Sequence, residues 1–284
     1  MFNYDKAFSR NIGWVTEDEQ AVLSQKRLAI AGCGGVGFEH AVTLARMGIQ
    51  NFNLSDFDNF EIHNMNRQAG CFVSTQGERK LDVLERTLLD INPNCNIKKF
   101  PDGISENNYS AFLENVDAYI DGLDFFVLDI RQTIFEHCQV QGIPALTAAP
   151  LGMGVSFLCF TQDSMSFDDY FGFSKAKDDD DKAIRFLLGL SPLMLQKKYL
   201  VDKTRTSFRE KRGPSTPFSV KMCSGVLGTN TIKLLLGRGD VIKAPQALHF
   251  DAYRNVLKVT FLRFGNNGLI QRIKKVIAKR LLLN

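Results

Sequence analysis

Leu28-Ala29-Ile30-Ala31 runs directly into Gly32-Cys33-Gly34-Gly35-Val36-Gly37, and a helix-like segment then carries the chain to Met47. Four apolar residues bounded by glycine read as a short buried strand. Gly32, Gly34 and Gly37 have the G-x-G-x-x-G spacing of a tight turn that opens a helix. Such a turn suits phosphates for two reasons. Glycine lets a ligand approach the backbone closely, and the helix N-terminus offers free N–H groups and the positive end of its dipole. A second strand, Asn51 to Leu54, ends in Asp56-Phe57-Asp58, and Asn64-Met65-Asn66-Arg67-Gln68 follows. Asp56 lies about 20 residues past the turn, where an acid can accept from ribose hydroxyls.

The alternation continues. Glu78 to Asp90 is helix-like, with Leu81, Leu84 and Leu88 on one face and Asn92-Pro93 as its stop. Strands are read at Ile97–Phe100, Ala118–Asp121 and Ala145–Ala148, with helices over Asn107–Glu114 and Leu128–Gln141 between them. This order predicts an α/β fold, a mostly parallel sheet covered by helices on both faces. Val155–Phe160 follows the fifth strand so closely that antiparallel pairing is expected. Residues 161–217 differ in character and read as a long crossover. It contains the run Lys177-Asp178-Asp179-Asp180-Asp181-Lys182, read as a solvated loop, then a helix-like piece from Ala183 to Leu190 and a basic stretch from Lys197 to Pro217. Beyond it, Gly228–Leu236 reads as a helix, and His249–Asp251 with Val256–Phe261 as a strand pair.

The bulk numbers exclude several classes. A length of 284 residues suits one α/β domain, or one domain with an insertion. A net charge of +4 is too small to imply DNA binding. Met1 to Gln20 is mixed and polar, with no basic-then-apolar signal, and no stretch approaches the roughly 20 apolar residues that span a bilayer. A cytoplasmic protein is expected. The six cysteines, at 33, 71, 95, 138, 159 and 223, contain no C-x-x-C pair, so no zinc is expected and the thiols read as reduced and mostly buried.

Four features go beyond a dinucleotide fingerprint. Arg67, just past the acidic strand end, can donate two hydrogen bonds to phosphate, and Asn64 can anchor another oxygen. Lys80 opens a helix near the carboxyl edge of the sheet and can meet phosphate as a point charge. Asp124, in Asp121-Gly122-Leu123-Asp124, ends the fourth strand and can hold Mg²⁺. Arg10 lies ahead of the fold in Ser9-Arg10-Asn11-Ile12. Each has a plainer reading: a solvated charge for Arg67 and Lys80, a turn residue for Asn64, a helix cap for Asp124. All but Arg10 fall at carboxyl ends of expected strands, the edge where open parallel sheets bind ligands.

Taken in order, these motifs resemble the ThiF/MoeB family, the ubiquitin-activating-type adenylyltransferases. The similarity rests on S-R-N-I, G-C-G-G-V-G, D-F-D, N-M-N-R-Q, Lys80, I-N-P at 91–93, D-G-L-D at 121–124, the segment from Gly225 to Gly237 and H-F-D-A-Y at 249–253. It covers roughly residues 5–160 and 218–262. The resemblance implies a Rossmann-like sheet and one adenylation domain, with a core at 1–160 and 218–262, a crossover insertion at 161–217 and a basic C-terminal helix at 266–284. It also implies roles. Asp56 would bind ribose, and Gly32, Gly34, Gly35 and Gly37 would line the nucleotide with Gln68. Asn64, Arg67 and Lys80 would bind the triphosphate, near Asp58. Asp124 would coordinate Mg²⁺, and Arg10 would reach the γ-phosphate, often across a homodimer in that family. The implied reaction is attack on the α-phosphate of ATP by a carboxylate, expected at the C-terminus of a small ubiquitin-like or sulfur-carrier protein or a peptide.

The chain departs from the family where relatives carry two C-x-x-C pairs or a crossover cysteine, because Thr161 to Met222 contains none. Cys223 reads as a buried thiol. Three alternatives stay open: a tRNA-modifying dehydratase of the same superfamily with a basic surface at Lys197–Arg212, an NAD(P)-dependent oxidoreductase, and a non-catalytic partner subunit. In the C-terminal helix, Ile270, Ile273, Ile277 and Leu281 fall at helical spacing among Arg272, Lys274, Lys275, Lys279 and Arg280. The stripe holds no Trp or Phe. We read it as packed on its own domain or a dimer mate, with weak membrane or partner contact as the second reading.

Overall fold

The computed structural model describes residues 1–208, 210–211 and 213–282. Its elements in chain order are α1 (Tyr4–Phe8), α2 (Glu17–Gln25), β1 (Arg27–Ala31), α3 (Gly35–Arg46), β2 (Asn51–Ser55), α4 (Lys80–Ile91), β3 (Asn96–Phe100), α5 (Tyr109–Phe112), β4 (Ala118–Asp121), α6 (Asp129–Gln141), β5 (Ala145–Leu151) and β6 (Gly154–Phe160). Then come α7 (Phe167–Phe171), α8 (Asp179–Leu190), α9 (Pro217–Leu236), β7 (Gln246–Asp251), β8 (Val256–Phe261) and α10 (Leu269–Leu282). The eight strands form one sheet in the order β3-β2-β1-β4-β5-β6-β7-β8. The pairs from β3 to β5 are parallel, and those from β5 to β8 are antiparallel, including the expected β5–β6 pair.

The order matters for function. β1 pairs with β2 on one side, Ile30 opposite Leu54, and with β4 on the other, Ile30 opposite Ile120. The direction of winding therefore reverses between β1 and β4, which opens a crevice beyond their carboxyl ends. β1 and β4 are buried almost throughout, as central parallel strands must be.

One core lies under α3, α4 and α9, with Phe38, Phe52, Leu54, Leu84 and Leu227 at its centre. The other lies under α5 to α8, where Phe135, Phe160, Phe167, Phe171, Phe173 and Phe186 stack in tilted and edge-to-face pairs 4.6–6.2 Å apart. Each such ring contributes about 1.5–3 kcal/mol by leaving water. The crossover thus supplies much of the second core.

Two expectations change. The acidic run is not a solvated loop. The side chain of Asp178 caps α8 by accepting from the Asp181 amide, and Asp179 to Asp181 occupy the first turn, where the helix dipole favours negative charge. Asp181 is buried, 3.5 Å from Arg185 Nε and 3.6 and 3.5 Å from the ammonium groups of Lys275 and Lys279. The late helix begins eleven residues earlier than expected, at Pro217, behind a Thr216 cap. Proline at the first helical position loses no intrahelical bond.

Candidate active site

The glycine turn is shaped by close backbone approach. Gly32 has φ +84°, and a Cβ there would lie 2.2 Å from the carbonyl oxygen of Gly122. One on Gly37 would lie 1.7 Å from the carbonyl oxygen of Gly32. These two glycines lock β1, β4 and α3 together. Gly34 and Gly35 do something different. A Cβ on Gly34 would meet Gln68 Nε2 at 3.4 Å, and one on Gly35 would meet the Arg67 carbonyl at 3.5 Å. Gln68 and Arg67 therefore roof the start of α3. Gly34 is the N-cap of α3 and has no side chain to satisfy the helix's first amides, which leaves donors for an anion. Gln68 is buried, and its Oε1 has no hydrogen-bond partner in the structure. An orphaned buried acceptor beside uncapped amides fits a ligand that brings both a hydrogen-bond donor, such as a hydroxyl or a base amine, and an anion.

Asp56 binds this turn from the end of β2. One carboxylate oxygen accepts from the Cys33 amide at 2.6 Å, the other from the Asp58 amide at 2.8 Å. Burial pushes the Asp56 carboxyl above its usual range, and the Asp58 amide, Lys80 and the Cys33 amide oppose that rise. Lys80 is buried at the start of α4, with Nζ 2.8 Å from Asp58 Oδ2. Asp58 itself is half-exposed, so the pair opens toward solvent.

Asn64 is buried, and its Oδ1 accepts from the Glu61 amide at 3.0 Å. Its carbonyl accepts from the amides of Arg67 and Gln68. Asn64 therefore pins the turn that aims those two side chains. Arg67 is half-buried, and its Nη1 donates to the His63 carbonyl and to Asn66 Oδ1.

The Asp124 loop adjoins the turn through Gly122. Asp124 is exposed and its Oδ1 accepts from the Phe126 amide at 3.0 Å. Among the described residues no cluster of three or more His, Cys, Asp or Glu could hold a metal by itself. A single carboxylate still suits Mg²⁺, which usually keeps waters and takes its remaining ligands from substrate phosphates.

Arg131 was not singled out from the sequence, and it holds this loop. Its guanidinium is fully buried. It donates to Asp121 Oδ2 at 2.9 Å and to the carbonyls of Leu123, Asp124, Phe125 and Val127 at 2.6–3.4 Å. Phe186 of the crossover lies 4.7 Å from it, in cation–π contact. A signal existed. Leu128, Arg131, Ile134, Phe135 and Cys138 share one helical stripe, so Arg131 occupies a core position.

Arg10 is not brought in. It is exposed on the short turn after α1, and the neighbouring Asn11 donates to the carbonyl of Arg46, the last residue of α3. α3 is about 18 Å long, and the glycine turn lies at its other end. Cys223 is fully buried, and burial pushes its thiol well above the ordinary range.

A mixed sheet with a glycine turn at its reversal point, roofed by Gln68 and the backbone of Arg67 and flanked by a buried lysine, defines an α/β fold with a candidate anion site at that turn. The chain belongs to the ThiF family, whose model matches residues 8–266. It is similar to the tRNA threonylcarbamoyladenosine dehydratase of Bacillus subtilis, 32% identical over 50% of this chain and 55% of that one. It is also similar to the molybdopterin-synthase adenylyltransferase of Haemophilus influenzae, 26% identical over 51% and 58%. The chain spans about half the length of the curated relatives it matches. Its fold is that of E. coli MccB crystallised with ATP, with a TM-score of 0.66 at 15% identity, covering 89% of this chain and 69% of that one. The family match lends the nicotinamide alternative no support. No described helix is long and apolar enough to cross a membrane.

Proposed function

We propose that this protein is an ATP- and Mg²⁺-dependent adenylyltransferase that activates a carboxylate. The observation that supports the reading is the uncapped start of α3 lying under Gln68 and the backbone of Arg67, with buried Lys80 on Asp58 beyond the end of β2. The triphosphate lies across the glycine turn. Asp56 accepts from the ribose, Gln68 and the first amides of α3 donate to phosphate oxygens, and Arg67 and Lys80 neutralise charge as pyrophosphate departs. The acceptor carboxylate attacks the α-phosphorus and the bond to pyrophosphate breaks, so no covalent bond to the protein forms. Asp124 would hold Mg²⁺, which when bound supplies further charge neutralisation. Arg10 acts from a second copy of the chain, since in its own copy it stands beyond the far end of α3.

The acceptor is a protein or peptide C-terminus on this reading. Similarity to the Bacillus subtilis dehydratase supports a second one, a carboxylate on a tRNA nucleoside. Lys197 and Lys198 are exposed in the basic part of the crossover; Arg209 and Arg212 lie outside the described residues.

ATP–pyrophosphate exchange tests the reaction, with tRNA and carboxyl-terminal peptides as competing stimulants. Exchange lost in Arg67→Ala and Asp124→Ala is expected. Exchange absent with every acceptor, or indifferent to both substitutions, refutes the mechanism. Mixing Arg10→Ala with Lys80→Met protein should restore part of the activity, and no restoration refutes the shared site.

A further inference from the structure

α10 faces the opposite way from an ordinary surface helix. Its inward side is largely polar: Ala278 and Leu282 pack on the core, but Lys275 and Lys279 pair with buried Asp181, Lys274 donates to the Pro192 carbonyl at 2.6 Å, and Gln271 donates to the Leu188 carbonyl at 3.1 Å. These bonds fix the rotation of the helix about its axis. The aliphatic stripe is consequently turned to solvent. Leu269, Ile270, Ile273, Val276, Ile277 and Leu281 are each more than half exposed. They span an arc of about 140° at 3.6 residues per turn. Arg280, about 20° from Leu269 on the same projection, rises within the arc, so the face is aliphatic with one cation in it. An exposed aliphatic face of this kind marks a docking site.

Charge identifies what docks. From Ala252 to Asn284 the chain has eight lysines and arginines and no acid. The whole chain nets +4, so residues 1–251 net −4. Arg272 is exposed beside the stripe and Arg280 within it, and the turn before α10 carries exposed Arg263 and Phe264, the guanidinium 5.4 Å from the ring. An aliphatic arc with one cation at its edge and another within it, whose long stem can carry the charge out to the headgroups, and with an aromatic at its start, matches the interface of an anionic bilayer. A second copy of this face would bring like charges together, and an RNA would leave the aliphatic arc in water.

We infer that α10 lies in the plane of an anionic lipid surface, held by its aliphatic arc and steered by Arg272 and Arg280. The test is cosedimentation of the full chain with vesicles of phosphatidylcholine alone or mixed with phosphatidylglycerol. Binding to the mixed vesicles only, weakened by salt, is expected. Ile273→Ser/Ile277→Ser should reduce it roughly a hundredfold, with the far-ultraviolet circular dichroism unchanged because both side chains face outward. Arg272→Gln/Arg280→Gln should reduce it about thirtyfold. Absence of binding to the mixed vesicles overturns the proposal, as does equal binding by the serine variant. So does a dimer, or a complex with RNA, that the serine variant abolishes.

Discussion

Removing the Arg131 guanidinium should expose how much the Asp124 loop depends on one buried ion pair. In Arg131→Met the volume is nearly kept, yet Asp121 stays behind as a carboxylate almost out of contact with water. Breaking a buried pair by removing one partner costs about 3–5 kcal/mol. The four loop carbonyls that also lose their donor lie nearer solvent and add little, because water can replace it. With a urea slope of about 3 kcal/mol/M, the unfolding midpoint should fall by about 1–1.7 M. The double variant Asp121→Leu/Arg131→Met removes both charges and should recover much of that loss. Arg131→Lys separates stability from positioning. It keeps a charge against Asp121 but not the planar fork that reaches four carbonyls. It should therefore retain most of the midpoint while pyrophosphate exchange falls. A single variant that moves the midpoint by less than about 0.3 M, or a double variant as unstable as the summed singles, refutes the reasoning.

Lys80→Met should lower pyrophosphate exchange by roughly 10²–10³-fold and leave the fold intact, because Asp58 is half-exposed and can turn to water; a large loss of thermal stability would contradict this. Gly37→Ala should cost about 3 kcal/mol, since its Cβ would meet the Gly32 carbonyl at 1.7 Å, and a melting temperature equal to the wild type would be the contrary result. Burial lowers His249 from 6.5 to about 4 and His40 from 6.5 to about 3. Both rings fold neutral, so stability is whole above pH 6.5 and is lost as the pH falls toward 4 and then 3, because the unfolded chain takes up the protons first. His40→Leu should flatten that decline, read from urea midpoints at about pH 7 and about pH 5; an unchanged slope would rule it out.

The sheet was legible because its strands are short apolar runs punctuated by glycine, proline and acids. Ala118–Asp121 and Val256–Phe261 fall where the pattern puts them. The start of α9 was missed because Lys197 to Pro217 reads as coil, although Thr216-Pro217 is itself a start signal. The carboxyl-edge residues were legible as a set, since topology brings strand ends together. Their local partners were not. Asn64 turns inward to Glu61, and Asp56 is taken up by amides 23 and 2 residues away. Arg10 sits away from the turn because α1 and the following residues pack on the tail of α3, a contact between segments 35 residues apart. Helical spacing revealed the stripe on α10 but not which way it faces. Asp181, almost a hundred residues earlier, decides that.

The grip of Asp56 on the Cys33 amide ties the exit of β1 to the exit of β2 before any ligand arrives. The rotamer of the proposed ribose acceptor and the path of the glycine turn are then a single rigid unit, assembled when the chain folds. An incoming nucleotide has only its own torsions to surrender. Shortening that carboxylate to an alanine methyl would slacken the loop as well as delete a contact, so the affinity lost should exceed what one hydroxyl could supply.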